Sequence, residues 1–434
     1  MKKKKYAIVG VGGRARMFYR AIAVDFKSTA KLVALCDINH TRMEYANEVL
    51  KTEFNHKPVP MYGVEDFDAM IERVKPDVVI VTSIDRTHHK YIIKAMELGC
   101  DVITEKPMTV DVDKCQEIID CIKKTGKDLR VTFNYRYAPH NTKIKELIMD
   151  GTIGDVKQVH FEWLLNTSHG ADYFRRWHRD KRNSGGLLVH KATHHFDLVN
   201  FWLNSVPKRV FAMGDLLFYG RENAENRGET KFYSRVNGQK NAEGDPFALV
   251  MQGNEQLEKM YLNAEHEDGY IRDQSVFGDN ISIEDTMNVL VQYVNGAQMS
   301  YSLNAYSPWE GFRAGFTGTK GRIEIEVVEK VYINAAGDSS NEGVVKGKKI
   351  TVYPMFDKPY EVEIDEGVGS HGGGDNVMLK DIFSAPVQDR YGRAASYIDG
   401  AKSILTGIAG NISIRTGMPV DIKNIFDIKE LMNK

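Results

Sequence analysis

Two segments of the chain hold the residues best suited to acid–base chemistry: Glu105-Lys106-Pro107, and a histidine-rich stretch from Ser184 to Asp197. A lysine ammonium can donate to an alcohol oxygen, and its charge lowers the pKa of the hydroxyl it touches. A histidine titrates near neutrality and can take up the proton. In Ser184-Gly-Gly-Leu-Leu-Val-His190-Lys191-Ala-Thr-His194-His195-Phe-Asp197, the Gly185-Gly186 pair permits a close backbone approach and the residues beyond it read as helical. His190 and His194 are four apart and so are expected on one helical face, with Asp197 three residues further on. The same spacing occurs in helical zinc sites, for which His371 in Gly369-Ser-His371-Gly-Gly-Gly-Asp375 is a candidate third ligand. No local spacing fixes that ligand, so no metal is expected and His371 is assigned to the substrate pocket.

Redox chemistry at an alcohol carbon needs a hydride acceptor, and the amino-terminal residues carry the signature of one. An apolar run, Tyr6 to Val9, meets Gly10-x-Gly12-x-x-Ala15, followed by a helical pattern in Met17, Phe18, Ala21 and Ile22. This is the dinucleotide fingerprint in its strand–turn–helix context. The first glycine allows the tight turn, the second lets backbone approach a pyrophosphate, and the small Ala15 lets helix and strand pack closely. The pyrophosphate is expected on the free N–H groups that open the helix. Asp37, at the end of the second apolar strand, is positioned to accept hydrogen bonds from ribose hydroxyls and to repel a 2′-phosphate. That favours NAD over NADP, although Arg42 nearby blurs the preference.

These residues need a scaffold, and the hydrophobic pattern predicts it. Strand-like runs at Lys31–Cys36, Val59–Tyr62, Asp77–Thr82, Asp101–Thr104 and Leu129–Asn134 alternate with helical stretches at 41–50, 88–98 and 112–124. Such alternation predicts a doubly wound parallel sheet of the Rossmann type over residues 1–136. Glu105-Lys106-Pro107 then falls at a carboxyl end of that sheet, the edge where ligands bind. After a helix at Pro139–Met149 the pattern changes. Asn295-Gly296 marks a hairpin between Met287–Val294 and Gln298–Asn304. Gly318-Thr319-Lys320-Gly321 marks a second one, between Phe312–Thr317 and Arg322–Val327. Strands at 330–334 and 349–353 are expected around a turn at 335–343. Residues 137–434 are therefore predicted to form an α+β domain with a large, mostly antiparallel open sheet, and 214–286 a long excursion from it.

Composition narrows the partners. With 434 residues, 42% apolar residues and a net charge of −1, the chain reads as a two-domain globular protein without an electrostatic case for nucleic acid or membrane surfaces. The basic Met1–Lys5 run precedes an apolar segment too short for a signal peptide. Cys36, Cys100, Cys115 and Cys121 form no C-x-x-C and read as reduced, buried thiols, which points to the cytoplasm.

Gly10–Ala15, Glu105-Lys106-Pro107 and Gly-Gly…His194-x-x-Asp197, in this order, resemble the glucose–fructose oxidoreductase / inositol dehydrogenase (Gfo/Idh/MocA) family. Thr82 to His88 followed by Gly99, the junction Asn134-Tyr135-Arg136, and Gly407–Val420 extend the likeness over most of the chain outside 214–286. The resemblance implies an NAD(P)-dependent oxidoreductase that converts a hydroxyl of a sugar, glycoside or polyol to a ketone, or the reverse, and a homo-oligomer, dimer or tetramer. It implies Lys106 and His194 as catalytic residues. For the cofactor it implies Gly10, Gly12, Gly13, Arg14, Ala15, Asp37, Arg42, Thr82, Ser83, His88, Glu105, Lys106 and Asn134; for the carbohydrate substrate, Lys106, Arg136, Trp177, His190, Lys191, His194 and His371. The chain departs from the family pattern at His190, where many members carry an aspartate. Losing that carboxylate removes an acceptor for substrate hydroxyls or for orienting Lys106, and the His190-Lys191 pair suits a carboxylate, phosphate or keto oxygen. Two other activities are open on the same scaffold: an NAD-retaining glycosidase acting by transient oxidation and elimination, and a non-catalytic NAD-binding regulator.

Overall fold

The computed structural model describes residues 3–330, 347–367, 371–385 and 387–432. The expected strand at 330–334 falls, from 331 onward, outside the described residues, as does the turn at 335–343. In the first sheet, β1 (Lys4–Val9), β2 (Ala30–Cys36), β3 (Met61–Tyr62), β4 (Val78–Val81), β5 (Asp101–Thr104) and β6 (Leu129–Val131) run parallel in the order β6-β5-β4-β1-β2-β3. All four β4 residues are buried, as expected for a strand covered on both faces. Strand β3 is shorter than the expected Val59–Tyr62. Pro58 and Pro60 lack N–H groups, so only the Pro60 carbonyl joins the neighbouring backbone, accepting from Leu35 N at 3.0 Å.

Among the described residues the second sheet has nine strands in the order β14-β13-β12-β11-β7-β10-β9-β8-β16. These are β7 (Val156–Asn166), β8 (Pro207–Asp215), β9 (Thr286–Tyr293), β10 (Gln298–Ser307), β11 (Glu310–Gly318), β12 (Gly321–Lys330), β13 (Gly347–Pro354), β14 (Tyr360–Glu361) and β16 (Val420–Asp421). Both expected hairpins, β9–β10 and β11–β12, form, and every pairing is antiparallel except β7 with β10. Along β7, Val159, Phe161, Trp163 and Leu165 are buried while His160 and Glu162 face the other way. This period-two pattern packs one face of β7, the central strand in the order, against the core. The short β15 (Ala395–Ser396) crosses back and pairs antiparallel with β6 of the first sheet.

One helix of the second domain places the histidine stretch. The helix Tyr397–Thr416 starts with a capping box formed by Ser396 and Asp399, and Gly417 in the left-handed region ends it. Gly407 on this helix meets the backbone of Leu188, where a Cβ would stand 2.3 Å from the Leu188 carbonyl oxygen. Only glycine lets the helix press so closely against Leu187–His190. The residues between β8 and β9, the expected excursion, form short helices, and Met251, Met260 and Tyr261 bury themselves in the same core as β1 and the glycine turn. No helix among the described residues is long and apolar enough to cross a membrane.

Candidate active site and dinucleotide cleft

Strands β4 and β5 are neighbours and parallel, so the loops at their carboxyl ends lie side by side. One carries Asp85 and the other Glu105-Lys106-Pro107, with a cis peptide at Pro107. Facing them is the histidine stretch, which is two helices rather than one. Leu187–His190 ends at Lys191-Ala192, and Thr193–Leu203 begins anew. The His194 N–H turns to the Lys191 carbonyl at 3.3 Å, leaving the His190 carbonyl to accept from Lys106 Nζ at 3.2 Å. This break corrects the expectation of a shared helical face. His190 turns toward Asp85, Tyr173, Trp177 and His178, whereas His194 turns toward Phe133, Tyr135 and His371. Among the described residues no three metal-ligating side chains gather.

Asp85 was not anticipated. Its Oδ2 lies 2.5 Å from His190 Nδ1, and both side chains are buried. A carboxylate that the sequence lacks at position 190 is thus delivered from the neighbouring loop. Only the parallel adjacency of β4 and β5 could have signalled it. Burial lifts the Asp85 carboxyl well above the usual carboxylate range, with the Lys106 charge pulling it part of the way back. Burial also lowers the Lys106 ammonium to about 8, against the opposing pull of Asp85 and Glu105. His194 is pushed well below the ordinary histidine value by burial and then by the Lys106 and Lys191 charges. Its imidazole is therefore neutral at pH 7, and its buried Nδ1 has no hydrogen-bond partner among the described residues. Lys191 is buried with its ammonium 5.0 Å above the Trp163 ring and 6.0 Å above that of Tyr135.

The glycine turn leads from β1 into the helix Ala15–Arg20. A Cβ on Gly10, at φ +85°, would lie 2.3 Å from Ser83 N, whereas one on Gly12 would meet nothing within 4 Å. The turn is thus closed beneath Gly10 and open above Gly12, a cradle that fits a ligand approaching its backbone there, while Tyr261 stands over Gly13. Thr82 Oγ1 donates to the Gly10 carbonyl at 2.5 Å and steadies the turn. Arg14 donates to Glu105 at 2.7 Å and lies 3.4 Å from Asp375. Asp375 also accepts from Asn134 at 2.7 Å and lies 2.8 Å from His371 Nδ1. The glycine turn, the lysine loop and His371 are therefore linked through charge-assisted contacts. Asp37 accepts from the N–H groups of Val11 and Asn39, and Arg42 Nη1 lies 4.0 Å from Asp37 and 2.6 Å from Asp268.

Two anticipated residues are placed elsewhere. Arg136 does not face the site. Its guanidinium makes a bidentate pair with Asp197 at 2.7 and 2.5 Å and lies 3.3 Å from Asp399, with 1% of the side chain exposed. A buried carboxylate needs such a partner, so the conspicuous arginine of the junction is used internally. His88 is equally buried, its Nδ1 2.8 Å from the Pro107 carbonyl and its Nε2 2.9 Å from that of Ser83. It ties the β4 loop to the lysine loop and offers no nitrogen to a cofactor.

Comparison with known proteins agrees with this fold. Residues 4–133 match the model of the oxidoreductase family's NAD-binding Rossmann fold, and residues 145–422 that of the same family's C-terminal alpha/beta domain. The chain is 34% identical to YteT of Bacillus subtilis (strain 168) over 99% of its own length and all of YteT. It is 31% identical to D-glucoside 3-dehydrogenase of Escherichia coli (strain K12) over 35% of this chain and 41% of that protein. Its fold is that of an aldose-aldose oxidoreductase from Caulobacter crescentus crystallised with glycerol, with a TM-score of 0.63 and 18% identity over 97% of this chain and all of the other. With both halves matched, the chain belongs to the Gfo/Idh/MocA family of oxidoreductases and carries that family's NAD-binding Rossmann domain.

Proposed function

We propose that the protein oxidises a hydroxyl of a sugar, glycoside or polyol to a ketone with NAD, or runs the reverse, using His194 and Lys106. The observation that carries this reading is the Lys106 ammonium at the carboxyl end of β5, held by the His190 carbonyl of the same stretch that carries the buried His194 imidazole, whose Nδ1 has no hydrogen-bond partner among the described residues. A nicotinamide bound there supplies the acceptor for the hydride leaving the carbinol carbon. His194, kept neutral by burial and by the Lys106 and Lys191 charges, takes the hydroxyl proton. Lys106, held by the His190 carbonyl, stabilises the negative charge that grows on the same oxygen. Asp85, His190 and Glu105 position that ammonium, and Lys191 with Trp177 and His371 borders the substrate.

The preference for NAD rests on Asp37 and Asp268. Both approach Arg42, so its charge is offset and a 2′-phosphate finds carboxylates beside it. Self-association is part of the reading: the open face of the nine-stranded sheet sets Arg313 and Arg322 among Glu162, Glu324 and Glu326. Incubation with NAD and a panel of sugars, glycosides and polyols should give substrate-dependent NADH absorbance. A second reading, glycoside cleavage by transient oxidation with NAD retained, is favoured by one observation: Tyr261 lies directly on the glycine turn. Glycoside cleavage without net NADH selects that reading, and the absence of both activities across the panel refutes the proposal.

A further inference from the structure

The segment between β8 and β9 does more than cover the second sheet. Tyr261 Oη accepts a hydrogen bond from the Gly13 N–H at 3.1 Å, on the very turn that receives a pyrophosphate in dinucleotide folds. The segment is anchored beside it at several points. Arg42 Nε donates to the Met260 carbonyl at 3.1 Å, Asn39 Nδ2 to that of Ala264 at 2.9 Å, and Thr41 N to the Glu267 carboxylate at 2.9 Å. These partners all follow Asp37, at the ribose edge of the cleft.

Around Tyr261, besides Arg42 with its partner Asp268, stand further arginines that outnumber the carboxylates beside them. The Arg272 guanidinium lies 4.4 Å from the Tyr261 ring centroid, and that of Arg42 lies 5.6 Å from both Tyr261 and Tyr270. One carboxylate, Asp172, serves three guanidiniums: Arg176 at 2.6 Å, Arg175 at 3.5 Å and Arg272 at 3.8 Å. Among the described residues, Arg272 Nε and Nη1, Arg176 Nε, Arg42 Nη2 and Tyr270 Oη are buried without any hydrogen-bond partner. Although burial pushes the Tyr261 phenol up, the charges of Arg272, Arg176 and Arg42 and the Gly13 N–H bring it below its ordinary value. Native proteins rarely leave so many buried donors unpaired, because each costs the desolvation of a polar group. An anion beside Tyr261 supplies acceptors to the Arg272 and Arg176 atoms among them.

We propose that Arg272, Tyr261 and Arg176 form a second wall of the dinucleotide site, flanking the pyrophosphate at the Gly13 end of the glycine turn, so that the cofactor leaves only when the segment Met251–Arg272 lifts. The inference rests on the dinucleotide reading above and adds residues that the Rossmann fingerprint does not contain. It also gives the excursion a purpose: a dinucleotide closed in by this wall remains bound between an oxidation and a re-reduction.

The test is direct. NADH is loaded onto the full chain and its release on dilution is followed by fluorescence; ADP-ribose and adenosine are titrated by calorimetry into protein stripped of nucleotide. Arg272→Gln should release NADH about tenfold faster or more and weaken ADP-ribose by about tenfold to a hundredfold, as loss of a charge-assisted contact predicts. Adenosine affinity should stay within about twofold, because the wall meets the phosphates, and Arg272→Lys should recover part of the loss. If Arg272→Gln fails to fold, Tyr261→Phe, which removes only the hydroxyl on Gly13, carries the release measurement. Unchanged release and ADP-ribose affinity in folded variants overturns the wall and leaves the dinucleotide reading standing. Tighter ADP-ribose binding by Tyr261→Phe also overturns it, since the segment then acts as a plug. Wild-type protein that binds neither NADH nor ADP-ribose removes the dinucleotide reading and the wall with it.

Discussion

Arg136→Leu should destabilise the protein without raising the KM for its alcohol. The side chain is 1% exposed and lies 4.8 Å from the Phe201 ring centroid, and its two strongest contacts are the 2.7 and 2.5 Å bonds to Asp197. Removing it takes from the Asp197 carboxylate, equally buried, both charge-assisted hydrogen bonds of the bidentate pair. Breaking one side of such a pair costs about 3–5 kcal/mol. Unfolding entropy is about 2.1 cal/mol/K per residue, so 434 residues unfolding as one unit correspond to roughly 0.9 kcal/mol/K and a fall in Tm of about 3–6 °C. Differential scanning fluorimetry, with urea titration as a check, measures this. Arg136→Leu combined with Asp197→Leu should recover much of the loss, because both charges leave together and the Asp399 contact is the weaker at 3.3 Å. Asp197 lies one turn beyond His194 on the helix Thr193–Leu203, so turnover should fall modestly as that helix loosens. An unchanged Tm together with a raised KM would return Arg136 to the substrate site and refute the argument from burial.

Other perturbations separate the remaining roles. His194→Ala should lower turnover by roughly a hundredfold or more with NAD affinity nearly unchanged, read by steady-state kinetics and calorimetry; full turnover would dismiss it as the base. Because Lys106 must be charged and its ammonium is lowered to about 8, kcat/KM should fall as pH rises through that region. Asp85→Asn removes a carboxylate that favours the charged lysine, so it should move this alkaline limb to lower pH; a limb that stays in place would exclude Asp85 as a positioning residue. Asp37→Ala should weaken NAD and relax discrimination against NADP, and an unaltered cofactor ratio would detach Asp37 from that choice.

Local sequence determined what depends on neighbours in the chain. The glycine turn is a strand–turn–helix unit within Lys4–Arg20, with Gly10 required because a side chain would collide with Ser83. The alternation of β1 to β6 with helices, the two hairpins and the position of Lys106 at a strand end all follow from short-range periodicity and turn chemistry. Tertiary structure decided everything that depends on partners far away. His190 and His194 look alike in the sequence, yet one meets Asp85 and the other Tyr135, because the backbone breaks at Lys191-Ala192 and its freed carbonyl takes Lys106. Arg136 reads as a binding residue until Asp197, sixty-one positions away, is found to neutralise it. Tyr261 carries no sequence signal, and only the docking of its segment against the first domain brings it to Gly13. Charge and hydrogen-bonding capacity are properties of a residue type, but whether they are spent internally or kept for a ligand is set by burial and by the groups the fold brings near.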